Sequence, residues 1–452
     1  MAVKVKEINP VVSWISDPDA VKNILSYKAE YWKQGPYRKE RQVYTKHLIG
    51  PKGVFLTGYL PRVMEFLERK NIEYTFTPQD YGVEVGKPKL NGITFREDQM
   101  EALSQMLKAG RGVWKAPTGS GKTLLICGLV KAYKTPALVL VPWSRDLLHQ
   151  TAEELKKFFG DVGVVGNGTE EWGRPVTVAI INTFSKRLNK IKPDDYGLVV
   201  VDEAHHVSSF DGMYGKTLKK VMAPHRFGLT ATPPAKAEAS FALEGLLGKI
   251  VGETPYGDLE EKKILARPIV KVYKVPEQGW VSELRGKYAD IYEYGVVKNR
   301  RRNLLVMQKA RGLINEGLTT LVMVERIDHG HELMKLAETL MPGTFVFVHG
   351  ETDSQIREEE KKYFEVQKRK GVIATRVWGE GINIRSMGAV VNAVGGRSEI
   401  QCIQRFGRGL RKTKKKNKVL LVDFADFNHK WFIRHSLYRI MKYLEEGWKI
   451  EQ

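Results

Sequence analysis

The chain has 452 residues, enough for two or three domains, and its 42% hydrophobic and 28% charged residues exclude wholesale disorder. Lys and Arg total 73 against 52 Asp and Glu, a net charge of +21, which favours a polyanionic partner, nucleic acid first and an anionic membrane second. The two cysteines, Cys127 and Cys402, are too few and too far apart for a zinc site or a disulfide scaffold. No apolar run reaches signal-peptide length before Asp17, and none reaches the length of a membrane-spanning helix.

Residues 1–90 read as a small basic module rich in aromatics: Tyr27, Tyr31, Trp32, Tyr37 and Tyr44 alternate with Arg38, Lys39, Arg41 and Lys46. These aromatics are either the module's core or a surface that stacks on bases while the cations neutralise phosphates. Residues 62–70 carry helical spacing, with Val63, Phe66 and Leu67 on one side. A Gly/Pro/Asn-rich break follows at 85–92.

From residue 93 the pattern alternates helices with short β-branched runs. The runs at 137–141, 176–181 and 198–202, then at 320–324, 344–348, 372–374, 389–394 and 418–422, fit strands buried on both faces of parallel sheets. The expected architecture is α/β: two tandem parallel-sheet domains, 91–252 and 253–452, after the small N-terminal domain.

The strongest local pattern is Ala116-Pro-Thr-Gly-Ser-Gly-Lys-Thr123, set between a strand and an apolar helix. Gly119 and Gly121 let the backbone N–H groups of residues 118–123 approach phosphate oxygens, and the following helix turns its N-terminus to the same anion. Pro117, Thr118 and Ser120 complete that cradle, Lys122 reaches the β/γ-phosphates, and the Thr123 hydroxyl completes a Mg²⁺ shell. A metal-holding carboxylate is then required at a neighbouring strand end. The run Leu198-Val-Val-Val-Asp-Glu-Ala-His-His206 supplies Asp202 for Mg²⁺ and Glu203 as the base that activates water. Together these define a nucleoside triphosphatase.

With the Asp-Glu-Ala-His element the sequence resembles the superfamily 2 helicases and translocases, whose domains are RecA-like, across residues 93–424. The resemblance implies roles residue by residue. Phe95-Arg96-Glu-Asp-Gln99 is similar to the element whose Gln reads adenine. Val141-Pro142-Trp-Ser-Arg145 and Ile181-Asn-Thr183-Phe184 resemble motifs that hold the nucleic-acid backbone. Thr230-Ala-Thr232, connected with His205, resembles the motif that couples hydrolysis to movement. In the second domain His349-Gly350, Arg357 and Thr375 resemble backbone contacts, and Gly379-Glu-Gly-Ile-Asn383 resembles motif V with Asn in place of the usual Asp. Gln404-Arg-Phe-Gly-Arg408-Gly-Leu-Arg411 is similar to the family's arginine-finger motif, in which Arg408 and Arg411 stabilise a transition state whose charge is spread over the phosphoryl oxygens.

Residues 402–418 hold eight cations and no acid. Lys412 and Lys414 among them are read either as phosphate-backbone contacts or as a solvated loop. A small basic domain before a compact motor resembles the phage UvsW-type branch-migrating helicases, with RecG-like and XPB-like relatives. The resemblance implies ATP and Mg²⁺ as cofactors and forked or four-way junction DNA as partner, with no membrane and no zinc. It further implies roles in replication, recombination or repair and a cytoplasmic location (the host's, for a phage-encoded member). An RNA helicase and the motor subunit of a restriction system are the alternatives. A non-enzymatic DNA-binding scaffold is disfavoured because every catalytic position is filled.

Overall fold

The structure, a computed structural model, describes residues 2–34, 39–117, 119–143, 145–262, 264, 267–375, 387–396, 418–445 and 448–451. It divides into two compact units, one of residues 1–116 with 121–254, the other of 255–452 with 117–120.

The first unit opens with β1 (Val3–Glu7), β2 (Val12–Ile15), β3 (Ser26–Gln34), β4 (Lys39–His47), β5 (Val54–Leu56), α1 (Leu60–Arg69) and β6 (Tyr74–Thr77). Helix α1 starts ahead of its apolar repeat because Pro61, in the first turn, needs no hydrogen-bond acceptor for its nitrogen. Strands β5-β2-β1-β6 form a mixed sheet, and β3 and β4 pair along nine residues each as a separate ribbon. The module's core is Val3, Val5, Ile15, Leu25, Phe55, Tyr59, Val63 and Leu67. Of the aromatics noted above, Tyr27 is buried and Tyr44 exposed. The Tyr31, Trp32, Lys39 and Arg41 side chains, and Tyr37 and Arg38 entirely, lie outside what is described.

The remainder of this unit runs α2 (Glu97–Ala109), β7 (Arg111–Lys115), α3 (Lys122–Ala132), β8 (Ala137–Val141), α4 (Arg145–Phe159), β9 (Val162–Gly166), β10 (Thr169–Glu170), β11 (Val176–Ile180), α5 (Ile181–Phe184), β12 (Leu198–Asp202), α6 (Met213–Lys220), β13 (His225–Thr230), α7 (Ala237–Leu247) and β14 (Ile250–Glu253). Its sheet order is β10-β9-β11-β8-β12-β13-β7-β14. Only β10 among these pairs antiparallel. Every residue of β8, β9, β11 and β12 is buried, as a sheet covered by helices on both faces requires.

The N-terminal module is docked on α7. Gly58 lies so close that an added Cβ would sit 2.0 Å from the Glu244 carbonyl oxygen and 2.6 Å from that of Gly245. Tyr59 Oη donates to the Phe241 carbonyl at 2.6 Å, and Arg62 grips the Glu244 carboxylate with two bonds of 2.7 and 2.6 Å. Tyr27 stacks on the Phe241 ring at 5.4 Å. A second tie joins Arg111 of β7 to the Pro10 carbonyl at 3.2 Å.

The second unit contains β15 (Arg267–Lys274), β16 (Thr320–Met323), β17 (Phe345–Val348), β18 (Gly371–Ala374), β19 (Ala389–Asn392), β20 (Lys418–Ala425) and β21 (Lys449–Glu451), all parallel in the order β17-β18-β16-β19-β20-β15-β21. Two α/β units with RecA-like sheets are thus the observed architecture, as the alternating pattern leads one to expect. Two fully buried guanidinium groups lace the second sheet. Arg302 bonds Asp426 and the Ala393 carbonyl, while Arg439 bonds Asp423 and the carbonyls of Gly396 and Phe424. Among the described residues no helix is long and apolar enough to cross a membrane.

Candidate active site and nucleic-acid edge

In open α/β sheets ligands bind beyond the carboxyl ends of the strands. Register brings three such ends level in the first unit. Lys115 of β7 pairs with Thr230 of β13, and Leu229 with Asp202 of β12. The Ala116 N–H continues this ladder to the Thr230 carbonyl at 2.8 Å, so the phosphate loop leaves the sheet beside β13.

Gly119 (φ 88°) and Gly121 (φ 97°) both adopt the left-handed region where a Cβ is strained. At Gly121 there is also no room. A Cβ there would lie 2.4 Å from Gln99 Nε2, which places the Gln99 carboxamide against the loop. Gln99 is buried, and its Oε1 accepts from the Arg96 N–H at 3.2 Å at the start of α2. Arg96 is itself held by Asp98 through bonds of 3.0 and 2.8 Å. Helix start and loop glycine are therefore positioned together.

Lys122, the first residue of α3, is buried and directs Nζ to Glu203 Oε1 at 3.3 Å. Glu203 has a left-handed backbone (φ 50°), uncommon for a residue with a side chain and a form of strain that clusters at functional sites. Its N–H donates to Asp202 Oδ1 at 2.9 Å. Burial, then repulsion from Glu203, pushes the Asp202 carboxyl pKa upward, and Lys122 offsets this only in part. Asp202 and Glu203 thus share this strand edge with the Lys122 ammonium. With the Thr123 hydroxyl also on α3, the available donors are hard oxygens suited to a divalent cation such as Mg²⁺.

His205 Nδ1 lies 3.1 Å from Thr230 Oγ1 and 3.5 Å from Glu203 Oε2. The Thr232 N–H reaches the same Thr230 hydroxyl at 3.3 Å. Burial presses the His205 pKa down to about 4, so the ring is neutral at pH 7. Lys122, Glu203, His205, Thr230 and Thr232 thus form one connected group.

Pro142 and Arg145 flank the turn from β8 into α4, the first buried and the second exposed, and Thr183 lies on α5 after β11. These are again carboxyl ends of neighbouring strands. In the second unit Thr375 N–H donates to the Val348 carbonyl at 3.2 Å, joining Thr375, beyond β18, to β17, which leads into His349 and Gly350. His349 N–H is fixed by Thr352 Oγ1 at 3.0 Å, and Arg357 follows on the helix Ser354–Glu365. Thr118, Gly379, Asn383, Gln404, Arg408, Arg411, Lys412 and Lys414 lie outside the described residues.

Motif reading alone misses three features of the first unit: the left-handed Glu203, the fully buried Arg226 and the exposed Trp143. Arg226 donates to the carbonyls of Ala223 and Leu218 at 2.8 and 2.7 Å, tying α6 to the start of β13. Its only sequence signal is a cation opening a buried strand.

A phosphate-loop sheet with a carboxylate-tipped neighbouring strand, followed by a second all-parallel sheet, defines a protein of two tandem RecA-like domains. Residues 92–235 match the type III restriction enzyme res subunit family and 303–413 the helicase conserved C-terminal domain, and the chain belongs to superfamily 2 of the helicases. It is 31% identical over 74% of its length to a protein of Halobacterium salinarum named putative DNA 3'-5' helicase Rad25. Of that protein and its Haloarcula marismortui counterpart it spans about half the length, 55% and 52%. It is 22% identical to the ATP-dependent DNA helicase uvsW of Enterobacteria phage T4, covering 77% of this chain and 74% of that one. A fragment of a putative HsdR subunit of a type I restriction enzyme from Vibrio vulnificus shares the fold, with TM-score 0.60 at 15% identity over 78% of this chain and 66% of that one. Domains of this superfamily use ATP.

Proposed function

We propose that this chain is an ATP-dependent DNA translocase that unwinds or branch-migrates forked and four-way junction DNA in replication, recombination or repair, acting in the cytoplasm. The single observation that carries the reading is the grouping of Lys122, Asp202, Glu203, His205 and Thr230 at the carboxyl edge of one sheet, beside the loop of Pro117, Gly119, Ser120 and Gly121. The names of its haloarchaeal and phage relatives favour DNA over RNA.

In this mechanism Gln99 and Arg96 meet the adenine, and the loop with Lys122 holds the phosphates. Thr123 and Asp202 would hold Mg²⁺, which supplies charge neutralisation at the β/γ-phosphates. Glu203 orients a water and takes its proton as the water oxygen bonds to the γ-phosphorus and the β–γ bridge bond breaks. Because Lys122 pairs with Glu203, triphosphate binding draws Lys122 toward the phosphates and away from Glu203 Oε1. His205 and Thr230 are placed to pass the change to Thr232. Gln404, Arg408 and Arg411 would act from the second domain on the γ-phosphate. Pro142, Arg145, Thr183, His349, Gly350, Thr375, Lys412 and Lys414 would hold the strand by its backbone, giving affinity without sequence preference. Residues 1–90, 91–252 and 253–452 would serve as nucleic-acid module, first motor domain and second motor domain.

The test is the ATPase rate with duplex DNA, single-stranded DNA, a four-way junction and RNA at one fixed salt concentration. Greatest stimulation by fork or junction DNA is the expected result. Preferential stimulation by RNA overturns the substrate, and no stimulation by any nucleic acid overturns the motor.

A further inference from the structure

Trp143 lies in the turn between β8 and α4, at the same strand edge as the phosphate loop, and exposes 51% of its surface. An indole half exposed at this strand edge keeps much of its apolar surface open to water instead of burying it in the core. His206 packs against it with centroids 4.7 Å apart at 61°. His206 in turn lies 4.2 Å from the His205 ring, which reaches Glu203 and Thr230. Two residues along the chain, Arg145 is exposed at the start of α4 and offers a cation to a phosphate.

We infer that Trp143 is the platform on which one base of a bound single strand stacks, held in orientation by His206 and therefore adjoining the hydrolytic group. The inference rests on the reading of the chain as a nucleic-acid motor. Every base has a π-face, so stacking grips a strand without regard to sequence, which a translocating motor needs. Phosphate contacts by Arg145 weaken steeply with salt, whereas stacking does not depend on counterion release. A flat ring beside a cation matches the alternation of base and phosphate along a single strand.

The experiment uses the full chain and measures binding of a fluorescent oligodeoxynucleotide, together with the strand concentration that half-saturates ATPase stimulation. Wild type, Trp143→Ala and Trp143→Phe are each titrated with an intact strand and with one of the same length containing abasic residues. Trp143→Ala is expected to raise Kd for the intact strand roughly tenfold, and Trp143→Phe, which keeps a ring, distinctly less. Abasic DNA should weaken wild type by a similar factor while costing Trp143→Ala little. Equal affinity of wild type and Trp143→Ala for the intact strand overturns the inference. So does the same loss on intact and abasic strands, which would make Trp143 a structural residue. Should Trp143→Ala fail to fold, Trp143→Phe and the abasic strand carry the comparison. Wild type that binds no strand overturns the motor reading itself, a result distinct from binding that ignores Trp143.

Discussion

Lys122 Nζ stands 3.3 Å from Glu203 Oε1, so the lysine of the phosphate loop and the glutamate of the Asp-Glu-Ala-His element are partners of each other. A buried charge deprived of its partner is costly. Lys122→Ala is therefore expected to abolish ATP turnover and to alter the Glu203 environment, while DNA binding at low salt survives. Steady-state ATPase and a filter-binding titration check this. Turnover retained in the variant would remove Lys122 from the site.

Docking of the N-terminal module can be separated into packing and charge. Gly58→Ala forces a methyl group against two backbone carbonyls that have no room to yield, and is expected to cost about 2–3 kcal/mol. Arg62→Ala removes a part-exposed pair with Glu244 and is expected to cost about 1 kcal/mol. Thermal melts of both variants decide the order. Equal losses would locate the docking energy in the ion pair instead of the close approach.

His205 gives stability an acid limb. Its folded pKa of about 4 lies below the value of about 6.5 for a free imidazole, so the unfolded chain takes up the proton first. The stabilisation is fully present above pH 6.5 and is lost as pH falls toward 4, amounting to about 2 kcal/mol between pH 7 and pH 5. A His205→Gln variant should show a shallower fall in Tm over that range. Parallel Tm profiles would show that His205 does not govern the limb.

In the second unit Arg439 and Asp423 are both buried and doubly bonded, and Tyr443 Oη donates to the same carboxylate at 2.6 Å. Arg439→Met leaves Asp423 charged without its cation and is expected to cost about 3–5 kcal/mol in urea unfolding. Adding Asp423→Leu should recover part of that loss, because the two substitutions share one interaction. Simple additivity would mean that the pair is not coupled.

Local chemistry is what a linear reading reaches. The strand 198–202 is legible because five apolar or strand-ending residues between polar flanks have few other places to go, and the loop 116–123 because glycine spacing and Lys122 follow from phosphate geometry. The helix at 62–70 is legible from Val63 and Leu67, which the structure buries. The docking surface is not legible, since Arg62 and Glu244 are 182 positions apart and each alone looks like an ordinary surface charge. Nor is the left-handed Glu203, whose conformation follows from how the chain leaves β12.

By itself the sequence determined the fold class and the superfamily, because buried strands and phosphate loops impose composition on contiguous residues. Tertiary structure alone decided that the small module is fixed to α7, that Lys122 neutralises Glu203, and that Trp143 leans on His206 with its ring still open to water. Those relationships depend on distance in space, which burial of a shared core sets and chain order does not record.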